Sequence, residues 1–333
     1  TLSWGYLYIT SASNINSGAG GLTMSGGGLK TGADITISPA ITLSATKHSI
    51  LYATGSTTLT INGTISGAGN LTIANGATGT VVLGGANDYT GATNIYAKLK
   101  IANSTALSTS AINIGSSGVL DVAGYSIANA ITITSSGGTI RSSVSGGVIT
   151  GGVTLAGYYI TLSAASAASL EVGTTAISGT GTTALTIGSS ADTGSVTLSA
   201  ANSYVGSTNV LKGTLNIANV AGLGTSDAGT TIASTATLDL QNVAVLAEAI
   251  TTNGGTLAAS TGTSSLSGNI SLATTGATFS VDGTELTLSG IISGSNGFTK
   301  TGSGALVLDN ANTYTGTTTI SAGTLSINNT EGL

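Results

Sequence analysis

The ionisable side chains of this sequence are few enough to weigh one by one. His48 is the single histidine. A Ser–His–acid triad would have to use it, and Ser44 and Ser49 are merely two of many serines nearby. No Gly-x-Ser-x-Gly stands at a strand-to-helix turn, so the nucleophile elbow of such chemistry is not written here. His48 therefore reads as an exposed turn or strand residue. Cleavage of a polysaccharide would need clustered carboxylates with Arg or Lys beside them, often with Ca²⁺. The acids instead stand singly, among them Asp34, Asp88, Asp121, Glu171, Asp192, Asp227, Asp239 and Asp309, with Asp282 and Glu285 as a close pair and Arg141 as the one arginine. Asp121 and Asp239 recur at equivalent places in a repeat, which points to a turn role. The expectation is no enzyme, no catalytic residue and no cofactor. The chain has no cysteine, which excludes a disulfide scaffold and a thiolate zinc site. Gly26-Gly27-Gly28-Leu29-Lys30 lacks the aspartate of the Ca²⁺-binding nonapeptide, so no metal is expected either.

Binding chemistry has more candidates. Trp4-Gly5-Tyr6-Leu7-Tyr8 and Tyr158-Tyr159 are the densest aromatics; sugar stacking is open to them, with cap or core packing as the expected use. Thr-x-Thr pairs such as Thr132-Ile133-Thr134 are too irregular for a flat ice-binding array. Asn62, Asn70, Asn103, Asn269 and Asn328 begin Asn-x-Ser/Thr glycosylation sites, and uncharged Ser/Thr strands would accept O-linked sugar.

One motif is repeated outright. Ala-Asn-x-Tyr-x-Gly places Asn87, Tyr89 and Gly91, then Asn202, Tyr204 and Gly206, then Asn312, Tyr314 and Gly316. The spacings are 115 and 110 residues between successive Asn. Each copy reads as a structural turn: Asn bonding local backbone, Gly supplying positive φ, Tyr covering the corner. A second landmark, Ile-Ser-Gly, keeps the same period at Ile65, Ile177 and Ile292, and Leu120-Asp121-Val122 matches Leu238-Asp239-Leu240 at 118. Sequence repeats therefore run over approximately 1–102, 103–218 and 219–328, with 329–333 opening a further one.

The elements that must carry these residues are short strands. Apolar and polar residues alternate in Asp34-Ile35-Thr36-Ile37-Ser38, Thr58-Leu59-Thr60-Ile61, Ala111-Ile112-Asn113-Ile114 and Glu285-Leu286-Thr287-Leu288. Gly, Ser or Asn-Gly closes each run, as at Asn62-Gly63, Asn75-Gly76, Asn253-Gly254 and Asn296-Gly297. That pattern is all-β. Helix is suggested only faintly, at Ala164–Leu170 and as a single turn in Val243–Ala249. Rungs of roughly 20–25 residues, stacked ~4.8 Å apart, would make a single-stranded parallel β-helix, one continuous β-solenoid over 1–333 with ~110–118-residue super-repeats. Ile61, Ile73, Ile114, Ile187, Leu240, Leu288 and Ile327 are expected in its buried ladders.

Composition agrees. Charged residues make up 6% of the chain against a usual ~25%. Glycine numbers 51 and proline 1, without the triplet of collagen. Mean hydropathy is +0.41, yet no apolar run approaches the ~20 residues of a membrane helix. Net charge is −5 and the isoelectric point about 4.5. Seven cations make no basic stripe for nucleic acid and no attraction to an anionic membrane.

The third copy carries a resemblance. Gly290-Ile291-Ile292-Ser293-Gly294, then Phe298-Thr299-Lys300-Thr301-Gly302-Ser303-Gly304-Ala305-Leu306-Val307-Leu308, then Ala311-Asn312-Thr313-Tyr314-Thr315-Gly316 and Ser321-Ala322-Gly323-Thr324-Leu325 closely resemble the autotransporter-associated β-strand repeat. The second copy is similar; the first departs at Ala97-Lys98-Leu99, where the family has Gly-Thr-Leu. The resemblance implies a right-handed parallel β-helix in the passenger of an autotransporter, displayed outside a Gram-negative cell at its outer membrane, with no catalytic residue. The function expected is a structural or adhesive surface module, an extended stalk or fibre segment. The alternatives are a glycan-binding passenger and a β-helix polysaccharide-degrading enzyme. Expected partners are neighbouring rungs, identical subunits end to end, surface glycans or other cells. The start at Thr1 and the interrupted final pattern read as a piece of a longer chain with uncapped ends.

Overall fold

The computed structural model describes all residues except 12–14, 16–19, 46, 75, 77, 180–184, 246 and 330–333. Asn75, Leu246 and most of the expected opening of a further repeat, 330–333, thus lie outside the described residues. The chain forms two compact units, Thr1–Thr161 and Leu162–Leu333. Its elements are β-strands, most of three to five residues. No helix among the described residues is long and apolar enough to cross a membrane.

In the first unit, one sheet takes Tyr6–Ile9, Gly28–Thr31, His48–Ala53, Asn70–Ile73, Thr93–Ile95, Ile112–Ile114, Ile131–Ile133 and Val153–Thr154, each parallel to the next. A second takes Ile35–Ile37, Thr58–Ile61, Thr80–Leu83, Lys98–Ile101, Val119–Asp121 and Gly138–Ser142. Paired residues stand a full turn apart in sequence: 22 residues from Leu29 to Leu51, 19 from Ile95 to Ile114. A chain whose neighbouring strands are parallel and one turn apart is coiling, so the fold is a parallel β-solenoid. Register brings like residues together. Leu29, Leu51, Ile73, Ile95, Ile114 and Ile133 form one inward ladder, and Leu7, in register with Leu29, is 40% exposed at its end. Each fully buried Leu or Ile in it stabilises by about 1.5–3 kcal/mol. The alternate residues face out and are largely Thr, Ser and Asn; Asn113 Nδ2 donates to Asn94 Oδ1 at 2.9 Å across two such positions.

The second unit is built the same way. Ser169–Val172, Ser195–Leu198, Gly213–Ile217, Ala236–Gln241, Thr256–Thr261, Ala277–Val281, Phe298–Thr301 and Thr318–Ile320 are parallel in series. Thr263–Leu266, Glu285–Leu288, Ala305–Leu308 and Thr324–Ile327 form another face.

Six of the seven expected ladder residues are buried, and Ile327 is 38% exposed. Its register is the expected one, at the end of Leu266–Leu288–Leu308–Ile327. Thr324–Ile327 pairs on one side only, so no described rung covers its other side. The two helical suggestions fail. Ala244–Val245 is a strand between Asn242 (φ 56°) and Ala247 (φ 55°). Ala164 ends a strand, Ala167 takes φ 61°, and Ser169–Val172 begins the next. Left-handed residues at such turns break a helix.

Candidate functional site

The repeated motif builds the same construction three times. Asn87 is buried, its Oδ1 accepting from the Ile65 N–H at 2.7 Å and its Nδ2 donating to the Ala106 carbonyl at 2.6 Å. Ile65 lies one turn back and Ala106 one turn on. One carboxamide thus clips three successive turns. Asn202 repeats this with Ile177 N–H at 2.8 Å and the Gly222 carbonyl at 2.7 Å. Asn312 accepts from Ile292 N–H at 2.8 Å, but its buried Nδ2 meets no acceptor among the described residues. Ile65, Ile177 and Ile292 open the Ile-Ser-Gly landmark, so two sequence landmarks are two ends of one hydrogen bond.

The bonding is across turns, whereas local bonding was expected. The tyrosines also differ from expectation. Tyr89, Tyr204 and Tyr314 lie inside the coil, with their hydroxyls bonded to Thr93 at 2.6 Å, Thr208 at 2.6 Å and Thr318 at 2.5 Å. Burial pushes all three phenols above their ordinary pKa, and the threonine hydroxyls partly offset it. Gly206 has φ 122°, as expected, but Gly91 and Gly316 are not left-handed. A Cβ on Gly91 would strike the Gly69 carbonyl, and one on Gly316 the Gly297 nitrogen. Close backbone approach requires glycine there.

Residues 78–97, 191–217 and 298–327 match the passenger-associated-transport-repeat family. The chain carries passenger-associated transport repeats. Each matched stretch contains the Asn and Tyr of one such construction. No curated protein and no solved structure matches the chain.

The other candidates are dispersed around the transport repeats. His48 is exposed at the start of its strand. Arg141 Nη1 lies 3.3 Å from Asp121 Oδ2, and Asp121 Oδ1 also accepts from the Ala123 and Ser143 N–H groups. Asp239 does the equivalent work, accepting from Ser260 N–H at 2.8 Å, Ser260 Oγ at 2.6 Å and Gln241 Nε2 at 3.1 Å. Both acids hold turns. Asp282 accepts from the Ser280 hydroxyl and Glu285 from that of Thr287. No group of three or more His, Asp or Glu is assembled as a metal would need among the described residues. A groove of about 590 Å³ beside the first transport repeat is lined by Asp88, Ser104, Thr105, Ser108, Ser126 and Asn129 among others. The aromatics expected to cap or fill the core are on the surface: Trp4, Tyr6, Tyr8, Tyr158 and Tyr159 are all exposed.

Two buried ionisable groups escaped the sequence reading. Lys300 is fully buried at a core-ladder position, and its Nζ donates to the carbonyls of Thr301, Gly302 and Ala322 at 2.6, 2.9 and 3.2 Å. Desolvation lowers its pKa, and Asp282 partly offsets that. Alternation from Phe298 would have pointed it inward. Glu248 is 3% exposed and accepts from the Thr230 hydroxyl at 2.6 Å. No alternation flags it, since it sits in a turn between Ala247 and Ala249. In the preceding repeat the equivalent residue is Asn129, whose amide donates to the Ser110 carbonyl at 2.7 Å.

Burial raises the Glu248 carboxyl above the usual carboxylate range, and the Thr230 bond offsets part of this. The folded state therefore holds the proton more tightly than the unfolded state. Stability falls as pH rises from the ordinary glutamate pKa of ~4.3 through the raised one, and the loss is complete above it. Glu248→Gln keeps the acceptor and removes the charge. It is expected to raise Tm at pH 7, with the gain shrinking to nothing below pH ~4. Thermal melts of both proteins across pH 3–8 check this; an equal gain at every pH would refute the charge argument.

Proposed function

We propose that the chain is a structural and adhesive surface module, a β-solenoid stalk or fibre segment of a secreted or surface-displayed bacterial protein, with no catalytic role. The observation that carries this reading is the thrice-repeated Asn clip of the transport repeats. The clips of Asn87 and Asn202 each tie three turns, and that of Asn312 ties two among the described residues. Outward faces of Thr, Ser and Asn support it, because they keep a long coil soluble with little charge. Labelling intact cells of the source bacterium with antibody to residues 1–333 tests the location. Signal that disappears after external protease treatment is expected; signal appearing only after lysis would refute surface display. Release of reducing ends from a polysaccharide by the purified chain, lost in His48→Ala/Arg141→Ala/Asp282→Ala, would refute the non-catalytic reading.

Neighbouring rungs, or further copies end to end, are the proposed partners. Ile320 and Ile327 are exposed at ladder positions, and Asn312 Nδ2 meets no acceptor among the described residues. Unpaired strand edges favour such addition. Light scattering of the isolated chain should show mass rising with concentration; a constant monomer mass would refute stacking between copies.

A further inference from the structure

The first unit carries an exposed aromatic and basic face that the transport repeats do not use. Tyr8, Lys30 and Tyr52 are register partners on three consecutive turns, and alternation turns them outward with Tyr6. The Tyr6 ring lies over the backbone of Gly28; a Cβ there would come within 2.7 Å of two ring carbons. Tyr6 meets Tyr52 edge to face, with centroids 6.2 Å apart and planes at 71°. Lys30 Nζ stands 4.8 Å from the centre of the Tyr52 ring, and Lys47 Nζ 4.8 Å from that of Trp4. Trp4, Tyr6 and Tyr8 are 77%, 53% and 55% exposed. Neither lysine joins an ion pair among the described residues.

We infer that this face is a binding platform for an acidic oligosaccharide. Each pyranose ring presents a face of C–H bonds whose positive edge suits the negative face of an aromatic ring. The rings of Trp4, Tyr6 and Tyr8 offer such faces to solvent. Lys30 and Lys47 place two ammonium groups among them that join no ion pair among the described residues, in a chain of net charge −5. The charge complement is therefore a sparsely anionic ligand, and the sugar carboxylates pair with these two lysines. A nucleic acid strand carries a charge at every nucleotide and calls for a longer basic track. The inference rests on the surface-module reading for where such a glycan is met, but it is tested on purified protein, so it can fail while surface labelling succeeds, and the reverse.

Trp4 is the only tryptophan, so its emission reads this face alone. The full 333-residue chain is titrated with a hyaluronan tetrasaccharide, which carries two carboxylates on four sugars, and, separately, with neutral maltotetraose. A saturable emission change with the acidic tetramer is expected, at least about tenfold weaker with the neutral one. Lys30→Gln/Lys47→Gln should weaken the acidic tetramer about tenfold and leave maltotetraose unchanged, while Tyr6→Ala/Tyr8→Ala should weaken both. These side chains are on the surface, so unchanged circular dichroism is expected of each variant. No saturation by about 20 mM, or equal binding by wild type and both variants, would overturn the proposal. Emission that shifts with protein concentration alone would assign the face to contact between copies. Tighter binding of an octathymidine, or of phosphatidylglycerol vesicles, would also overturn it.

Discussion

Asn202→Asp is expected to cost about 3 kcal/mol of stability, and Asn312→Asp less than about 1. The substitution keeps shape and acceptor and removes only the amide donor. At Asn202 that donor holds the Gly222 carbonyl at 2.7 Å in the interior. Aspartate would set a carboxylate oxygen against that carbonyl, leaving two buried acceptors facing each other and a charge without a partner. At Asn312 the Nδ2 meets no acceptor among the described residues, and the bond from Ile292 N–H persists onto a stronger acceptor. Asn87→Asp should behave like Asn202→Asp, because the Ala106 carbonyl stands in the same place. Urea unfolding of the three single variants at pH 7 checks the order. Equal losses at all three positions would show that the cost comes from burying the charge and that the amide donor to the following turn contributes nothing.

Lys300→Met is expected to destabilise by about 2–4 kcal/mol. The lysine occupies a ladder otherwise made of Leu170, Val196, Leu215, Leu238, Leu257, Phe279 and Ile320. Methionine fills much the same volume, so packing changes little. What is lost is an ammonium that holds three carbonyls, one of them on the following turn. A thioether donates nothing to them. Replacing buried charge by apolar residues can be neutral when all partners leave together. Here the three carbonyls are backbone and remain. A melting temperature at or above that of wild type would show that water reaches those carbonyls readily.

Period-two alternation in Thr58-Leu59-Thr60-Ile61 and its like was enough to read strand, face and core. Recurrence of Asn-x-Tyr-x-Gly and Ile-Ser-Gly at one period was enough to read a repeated coil and its family. Even the inward turn of Lys300 was legible from Phe298. These features are local: a residue's side of a strand follows from its parity. The partners of Asn87, 22 residues before and 19 after, were not legible, because turn lengths decide which carbonyl arrives beside the amide. The same holds for the burial of Tyr89 and Glu248, and for the close approach that demands glycine at Gly91. Trp4, Tyr6 and Tyr8 were read as cap or core because aromatic residues usually bury their large apolar surface. Register against Gly28 and Lys30 instead laid them on the outside. Parity set the faces from the sequence alone; the stacking of turns, which sums many loop lengths, was decided in three dimensions.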